Sequence, residues 1–147
     1  MHPADPRAAT ERIVRWFETL TPESLTDIGS CYAQDANFKD PFNEVQGLDA
    51  IRGVFEHMFR TLEEPHFVVT GRLVDGRQCF LSWEFRFRFQ RFDTSTLQTV
   101  RGGSHLLLAE DGRIRQHRDY WDVAEELYEK LPVLGHLMRW LRRRANA

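Results

Sequence analysis

Leu81-Ser82-Trp83-Glu84-Phe85-Arg86-Phe87-Arg88-Phe89-Gln90 alternates without a break. In an extended strand, Leu81, Trp83, Phe85, Phe87 and Phe89 fall on one face, and Ser82, Glu84, Arg86, Arg88 and Gln90 on the other. Such a strand belongs to an antiparallel sheet with one covered face and one wet face. Outward from it the period stays at two. Phe67-Val68-Val69-Thr70 leads into Asp75-Gly76, a two-residue hairpin signal, and strands over 98–109 and 113–121 follow, joined at Asp111-Gly112. Gly102-Gly103 lies inside the third strand, where a glycine pair is expected to mark a bulge or bend.

Before Pro65 the period is that of a helix. Ile13, Trp16, Phe17 and Leu20 form one stripe over about 6–20. Thr21-Pro22-Glu23 is a helix start, and Leu25, Ile28 and Tyr32 are expected to carry a second, shorter helix. Asp40-Pro41-Phe42-Asn43 reads as a turning segment, because the residue before proline avoids the helical region. After Gly47 come Ile51, Val54, Phe55, Met58, Phe59 and Leu62, the apolar face of a third helix. Helices first and a meander after them give an α+β fold. Two helical pieces close the chain, at 123–130 and 133–144. In the second, Val133, Leu134, Leu137, Met138, Trp140 and Leu141 form an amphipathic stripe expected to fold back over the mouth or edge of the sheet, and no membrane partner is expected for it.

Of the 147 residues, 41% are hydrophobic and 29% charged, and the net charge of −2 gives no field to recruit nucleic acid. No basic-then-apolar leader and no long apolar run is present, so the expected location is the cytoplasm. Cys31 and Cys79 lie among apolar neighbours and read as buried thiols. No histidine pair with a carboxylate has metal-ligand spacing, so no metal is expected. Eleven Phe, four Trp and three Tyr exceed what filling a small core requires. A sheet that wraps its aromatic face around helices leaves a conical cavity, a usual place for a small molecule.

Two stretches carry a family resemblance. Tyr32-Ala33-Gln34-Asp35-Ala36-Asn37-Phe38-Lys39-Asp40-Pro41-Phe42 with Gly47-Leu48-Asp49-Ala50-Ile51-Arg52, and Gly112-Arg113-Ile114-Arg115-Gln116-His117-Arg118-Asp119-Tyr120-Trp121-Asp122, are similar to the nuclear transport factor 2-like superfamily. Within it they resemble the SnoaL-like polyketide cyclases and the ketosteroid isomerases, over about residues 10–122. The resemblance implies a single domain over 1–147: one curved antiparallel sheet wrapped around the N-terminal helices (about 6–122), with 123–145 added as a helical extension. It also implies a homodimer through the open face of the sheet, where Glu84, Arg86 and Arg88 offer both charge signs.

By position, Asp40 matches the general base of the isomerases. Asp119 matches the catalytic aspartate of the cyclases, and His117 their histidine. The isomerases' two oxyanion donors are replaced here by Trp16 and Ser104, which argues against a steroid isomerase. Limonene epoxide hydrolases also place an aspartate where Asp119 stands, but their Arg-x-Asp partner is missing from the Trp83 face.

The residues themselves point to the same end of the chain. Positions 117, 119 and 121 share a strand face, and a two-residue turn at Asp111-Gly112 sets Ser104 across from Asp119. The expected site is an apolar pocket lined by Trp16, Tyr32, Phe55, Met58, Phe59, Trp83 and Phe85. Asp40, Ser104, His117 and Asp119 stand at its polar end, and Trp121 serves as a lid. Bland alternatives stand beside it: Asp40 capping local amides, and Ser104, Asp119 and His117 satisfying one another. Three functions remain open. One is a cofactor-free enzyme in which Asp119 or Asp40 removes a proton from a small hydrophobic carbonyl compound while His117, Ser104 and Trp16 hold the oxyanion. The others are a binding module for an apolar metabolite or lipid, and a structural dimerisation domain.

Overall fold

The structure is a computed structural model and describes residues 2–126 and 132–145. Helix α1 (Pro6–Glu18) starts at Asp5, whose carboxylate accepts from the amides of Arg7 and Ala8, with Pro6 in the first turn. A 3-10 turn over Glu23–Asp27 follows, in which Thr21 and Ser24 cap one another through Thr21 N–H to Ser24 Oγ (2.8 Å) and Ser24 N–H to Thr21 Oγ1 (3.2 Å). Helix α2 (Ile28–Cys31) is one turn long and runs into strand β1 (Tyr32–Lys39). Strand β2 (Glu44–Gln46) and helix α3 (Leu48–Thr61) come next. Strands β3 (Leu62–Asp75), β4 (Gln78–Phe89), β5 (Gln98–Leu108) and β6 (Ile114–Tyr120) complete the sheet. Helix α4 (Val123–Glu126) and helix α5 (Pro132–Ala145) follow it.

The six strands make one sheet in the order β2-β1-β6-β5-β4-β3, curved and unclosed. Its inner face packs on α1 and α3. The core runs from Ile13, Val14 and Phe17 through Tyr32, Ile51 and Phe55 to Leu81, Leu106 and Ile114. The alternation in β4 holds: Leu81, Trp83 and Phe87 are buried, whereas Ser82, Glu84, Arg86 and Arg88 face outward, half-exposed. Cys31 and Cys79 are buried free thiols.

Three expectations need correction. Tyr32 opens β1 instead of ending a helix; its backbone is extended (φ −109°, ψ 143°). In the polar run that follows it, a register break between Tyr32 and Asn37 hides the period of two. The β1/β6 pairing is parallel, so one junction of the sheet departs from the antiparallel pattern. Third, β3 begins at Leu62, five residues early. It is an edge strand, and Pro65 falls in an irregular stretch between the Glu63 and His66 pairings, where a missing N–H is tolerated.

The C-terminal segment falls partly outside the described residues. Of the expected helix over 123–130, only Val123–Glu126 falls within the described residues. Glu126 is buried and anchors α4 to β5 by accepting from the Arg101 amide (3.2 Å) and its guanidinium (2.7 and 2.9 Å). In α5 the side chains of Val133, Leu134 and Met138 lie outside the described residues. Leu137, Trp140 and Leu141 are about half exposed, and Arg142 reaches Glu125 at 3.9 Å. No described side chain of α5 lines the cavity of the cone, and of the residues expected to cover its mouth, Val133, Leu134 and Met138 have side chains outside the described ones.

Candidate functional site

Strand pairing builds the site. Ser104 on β5 pairs with Asp119 on β6 as expected, although by another route. The β5–β6 connection is longer than two residues, and a register shift at Leu107/Leu108 restores the pairing. Phe38 on β1 pairs with His117.

From these positions a chain of hydrogen bonds crosses the inner face. Trp83 Nε1–H donates to Ser104 Oγ at 2.9 Å, and Ser104 Oγ–H donates to Asp119 Oδ1 at 2.5 Å. His117 Nε2 lies 2.5 Å from the same oxygen, and His117 Nδ1 lies 2.7 Å from the Tyr32 hydroxyl. A carboxylate oxygen accepts, so His117 Nε2–H donates to Asp119 Oδ1, and the second ring nitrogen shares a hydrogen bond with the Tyr32 hydroxyl. Burial holds the Tyr32 phenol well above its ordinary pKa, helped by the neighbouring Cys31 and Asp119, and keeps its proton on the oxygen. Both branches of the chain end on Asp119 Oδ1. Among the described residues, no donor reaches Asp119 Oδ2.

Asp119 lines an apolar cavity of about 330 Å³. Phe38, Phe42, Phe55, Phe67, Trp83, Phe85, Phe87, Phe89 and Trp121 supply its rings, and Val54, Met58, Leu62 and Val100 most of the rest. Asp40, Asn43, His57 and Thr61 complete the lining. A second, much smaller void of about 20 Å³, lined by Phe17, Leu81, Ser104 and His117, shares Asp119 and Trp83 with this cavity. Phe42 and Trp121 meet edge to face at 5.7 Å, beside Asp40.

Of the expected lining, Phe55, Met58, Trp83, Phe85 and Trp121 border this cavity. Trp16, Tyr32 and Phe59 lie outside it. Tyr32 is fully buried and acts on His117; Trp16 packs against Phe17, Tyr32 and Phe55 with its indole N–H buried and unpartnered among the described residues. Asp40 borders the cavity, but its Oδ1 accepts from the amides of Phe42 (2.8 Å) and Asn43 (2.6 Å), which is the capping alternative. His105 faces away and meets Gln78 at 2.9 Å. The roles of Trp83 and Tyr32 as hydrogen-bond partners were missed. Phe87 and Phe89, also missed as lining, were readable in the alternation with Trp83. Among the described residues, no group of three or more His, Cys, Asp or Glu could hold a metal ion, and no helix is long and apolar enough to cross a membrane.

Comparison with known proteins agrees with this architecture. Residues 13–117 match the profile of the SnoaL-like domain family. No curated protein sequence matches the chain. Several solved structures share the fold. One is a hypothetical protein with a ketosteroid isomerase-like fold from Catenulispora acidiphila, in complex with trimethylamine (15% identity, 84% of this chain and 92% of that one, TM-score 0.69). A second is an NTF2-like protein of unknown function from Burkholderia pseudomallei (15%, 83% and 94%, 0.69). A third is an LEH-like epoxide hydrolase of M. tuberculosis (15%, 81% and 84%, 0.64). At such identities the likeness is one of fold.

Proposed function

The chain belongs to the SnoaL-like domain family, and from that premise we propose that its cone binds a small, largely apolar molecule and that Asp119 takes a proton from it. One observation carries this reading. Asp119 Oδ1 is held by Ser104 and His117, no described donor reaches Oδ2, and the residue lines a cavity of ligand size. A carboxylate held on one side and free on the other is a positioned base. On a ketone, Oδ2 would take the proton from the carbon beside the carbonyl. The C–H pair becomes the enolate double bond, and the carbonyl π pair moves to oxygen.

A second reading is binding without turnover, and a specific observation favours it. Of the oxyanion holders expected from the sequence, the Ser104 hydroxyl and the His117 N–H already donate within the chain, and Trp16 is outside the lining. Deuterium uptake by phenylacetone in heavy water separates the two. A base at Asp119 accelerates exchange, and Asp119→Asn reduces that acceleration at least about 100-fold. A ketone that binds and is not exchanged faster removes the base and leaves the binding module.

We also propose a homodimer through the outer face of the sheet. Leu73 pairs with Phe80 across β3 and β4, and both are exposed, as is Tyr120 on β6. The charges expected to reach a partner find mates within the chain: Arg86 with Glu84 at 3.4 Å, and Arg88 with Glu64 at 3.8 Å. The apolar stripe is therefore the stronger contact. Sedimentation as a monomer at micromolar concentration contradicts the dimer; Phe80→Glu should dissociate it without lowering the helix content.

A further inference from the structure

We infer that the molecule held in the cone carries a positive charge, an amine or quaternary ammonium of roughly one ring's size, an assignment that rests on the cavity being a small-molecule site. The β1/β6 register is the first observation. Phe38 pairs with His117 and Lys39 with Arg118. One step further sets Asp40 abreast of Asp119, so both turn to the face that Phe38 and His117 occupy. Both carboxylates line the cavity.

Among the described residues that line the cavity there is no lysine or arginine, and His57 stands on the exposed rim. Lys39 and Arg118 border the outer groove that shares the two carboxylates, where Lys39 meets Glu44 and Arg118 lies over the Tyr120 ring. Asp40 accepts from the amides of residues 42 and 43, and Asp119 from the Ser104 hydroxyl and His117 Nε2. A charge on that imidazole would offset one of the two carboxylates and leave the other. Nine of the eighteen lining residues are Phe or Trp.

Three kinds of ligand can be weighed against this. A neutral apolar body that fills the cavity strips water from Asp119 Oδ2 and returns no partner, which is costly for a charged group. An anion meets two like charges. A cation supplies the missing counter-charge, and ring faces attract it further, more strongly once water is excluded. A cavity of this volume lies at the low end of ligand pockets, about 300–1,000 Å³, and selects a small amine.

The test compares two probes of one shape, phenyltrimethylammonium and tert-butylbenzene, by calorimetry on the wild-type protein. The neutral probe is the more hydrophobic, so an apolar pocket without charge preference binds it better. The expected result is that the cation binds at least about tenfold more tightly. Asp119→Asn and Asp40→Asn should each narrow that preference while leaving the affinity for tert-butylbenzene unchanged or raised. Equal or tighter binding of tert-butylbenzene by the wild type overturns the charge assignment and leaves the pocket standing. Failure of both probes to bind overturns the pocket itself. A preference for the cation that survives removal of both carboxylates also overturns the proposal.

Discussion

Asp119 works through residues that the strand register brings to it. Tyr32 is the farthest of them, and two predictions belong to it. Tyr32→Phe leaves His117 Nδ1 buried without its partner and should cost about 1–3 kcal/mol in urea unfolding. The second concerns alkaline pH. Burial raises the pKa of Tyr32 from 10.0, and it raises that of Cys31 from 9.0 against the pull of Arg12. For both groups the native state holds its proton more tightly than the unfolded chain does. Their contribution is therefore complete below about pH 9 and is lost as the pH rises through that value and beyond. Burial raises the Cys79 thiol from 9.0 as well, so the urea midpoint should fall between about pH 8 and 11, and replacing both Cys31 and Cys79 by Ala should move the onset toward pH 10, where Tyr32 remains. A midpoint that is flat across this range contradicts the burial of these groups.

At the scale of elements, β5 is thin where it must be. A Cβ on Gly102 would come within 2.5 Å of the Trp83 ring, and one on Gly103 would strike the Phe80 ring on the opposite face. The β4/β5 register runs unbroken through both positions, so the pair makes room for two rings and is not the expected bulge. Gly102→Ala should displace Trp83, break its hydrogen bond to Ser104 and lower stability by about 1–3 kcal/mol. Trp fluorescence and a urea titration would show it, and an unshifted emission spectrum would contradict it.

The strongly periodic parts of the fold were legible for a physical reason. In α1, α3 and β4 one face turns to the core or to the cavity along its length, and that environment imposes the period on the residues. In β1 the Tyr32–Lys39 run is polar, its register breaks, and its partner is parallel and far away in sequence. No local pattern records such a pairing. His117 and Asp119 were legible as one face through the period of two, and Ser104 came out opposite Asp119 because the longer β5–β6 connection is offset by the register shift at Leu107/Leu108. Tyr32 and Trp83 were missed as hydrogen-bond partners because a ring and its polar tip share one letter, and only packing decides which of the two matters.

At the scale of the whole molecule, the described part of the extension meets the sheet through Glu126, which is buried and accepts from Arg101. Leu137, Trp140 and Leu141 stay half exposed, and Arg142 reaches Glu125 at 3.9 Å. Deleting residues 132–147 tests the cover expected from the amphipathic stripe: loss of a cover lowers the melting temperature and increases dye binding. An unchanged melting temperature with reduced dye binding contradicts it.

The cone is the centre of the account: an aromatic cavity with one free carboxylate oxygen at its polar end. The most direct measurement of it is a high-resolution crystal structure of the protein purified from its natural source without added ligand. The account predicts a compact molecule among Phe85, Phe87 and Trp121, with a polar or charged atom within hydrogen-bond reach of Asp119 Oδ2. A cavity collapsed on its own side chains, with Oδ2 turned to a donor of the protein, would contradict it.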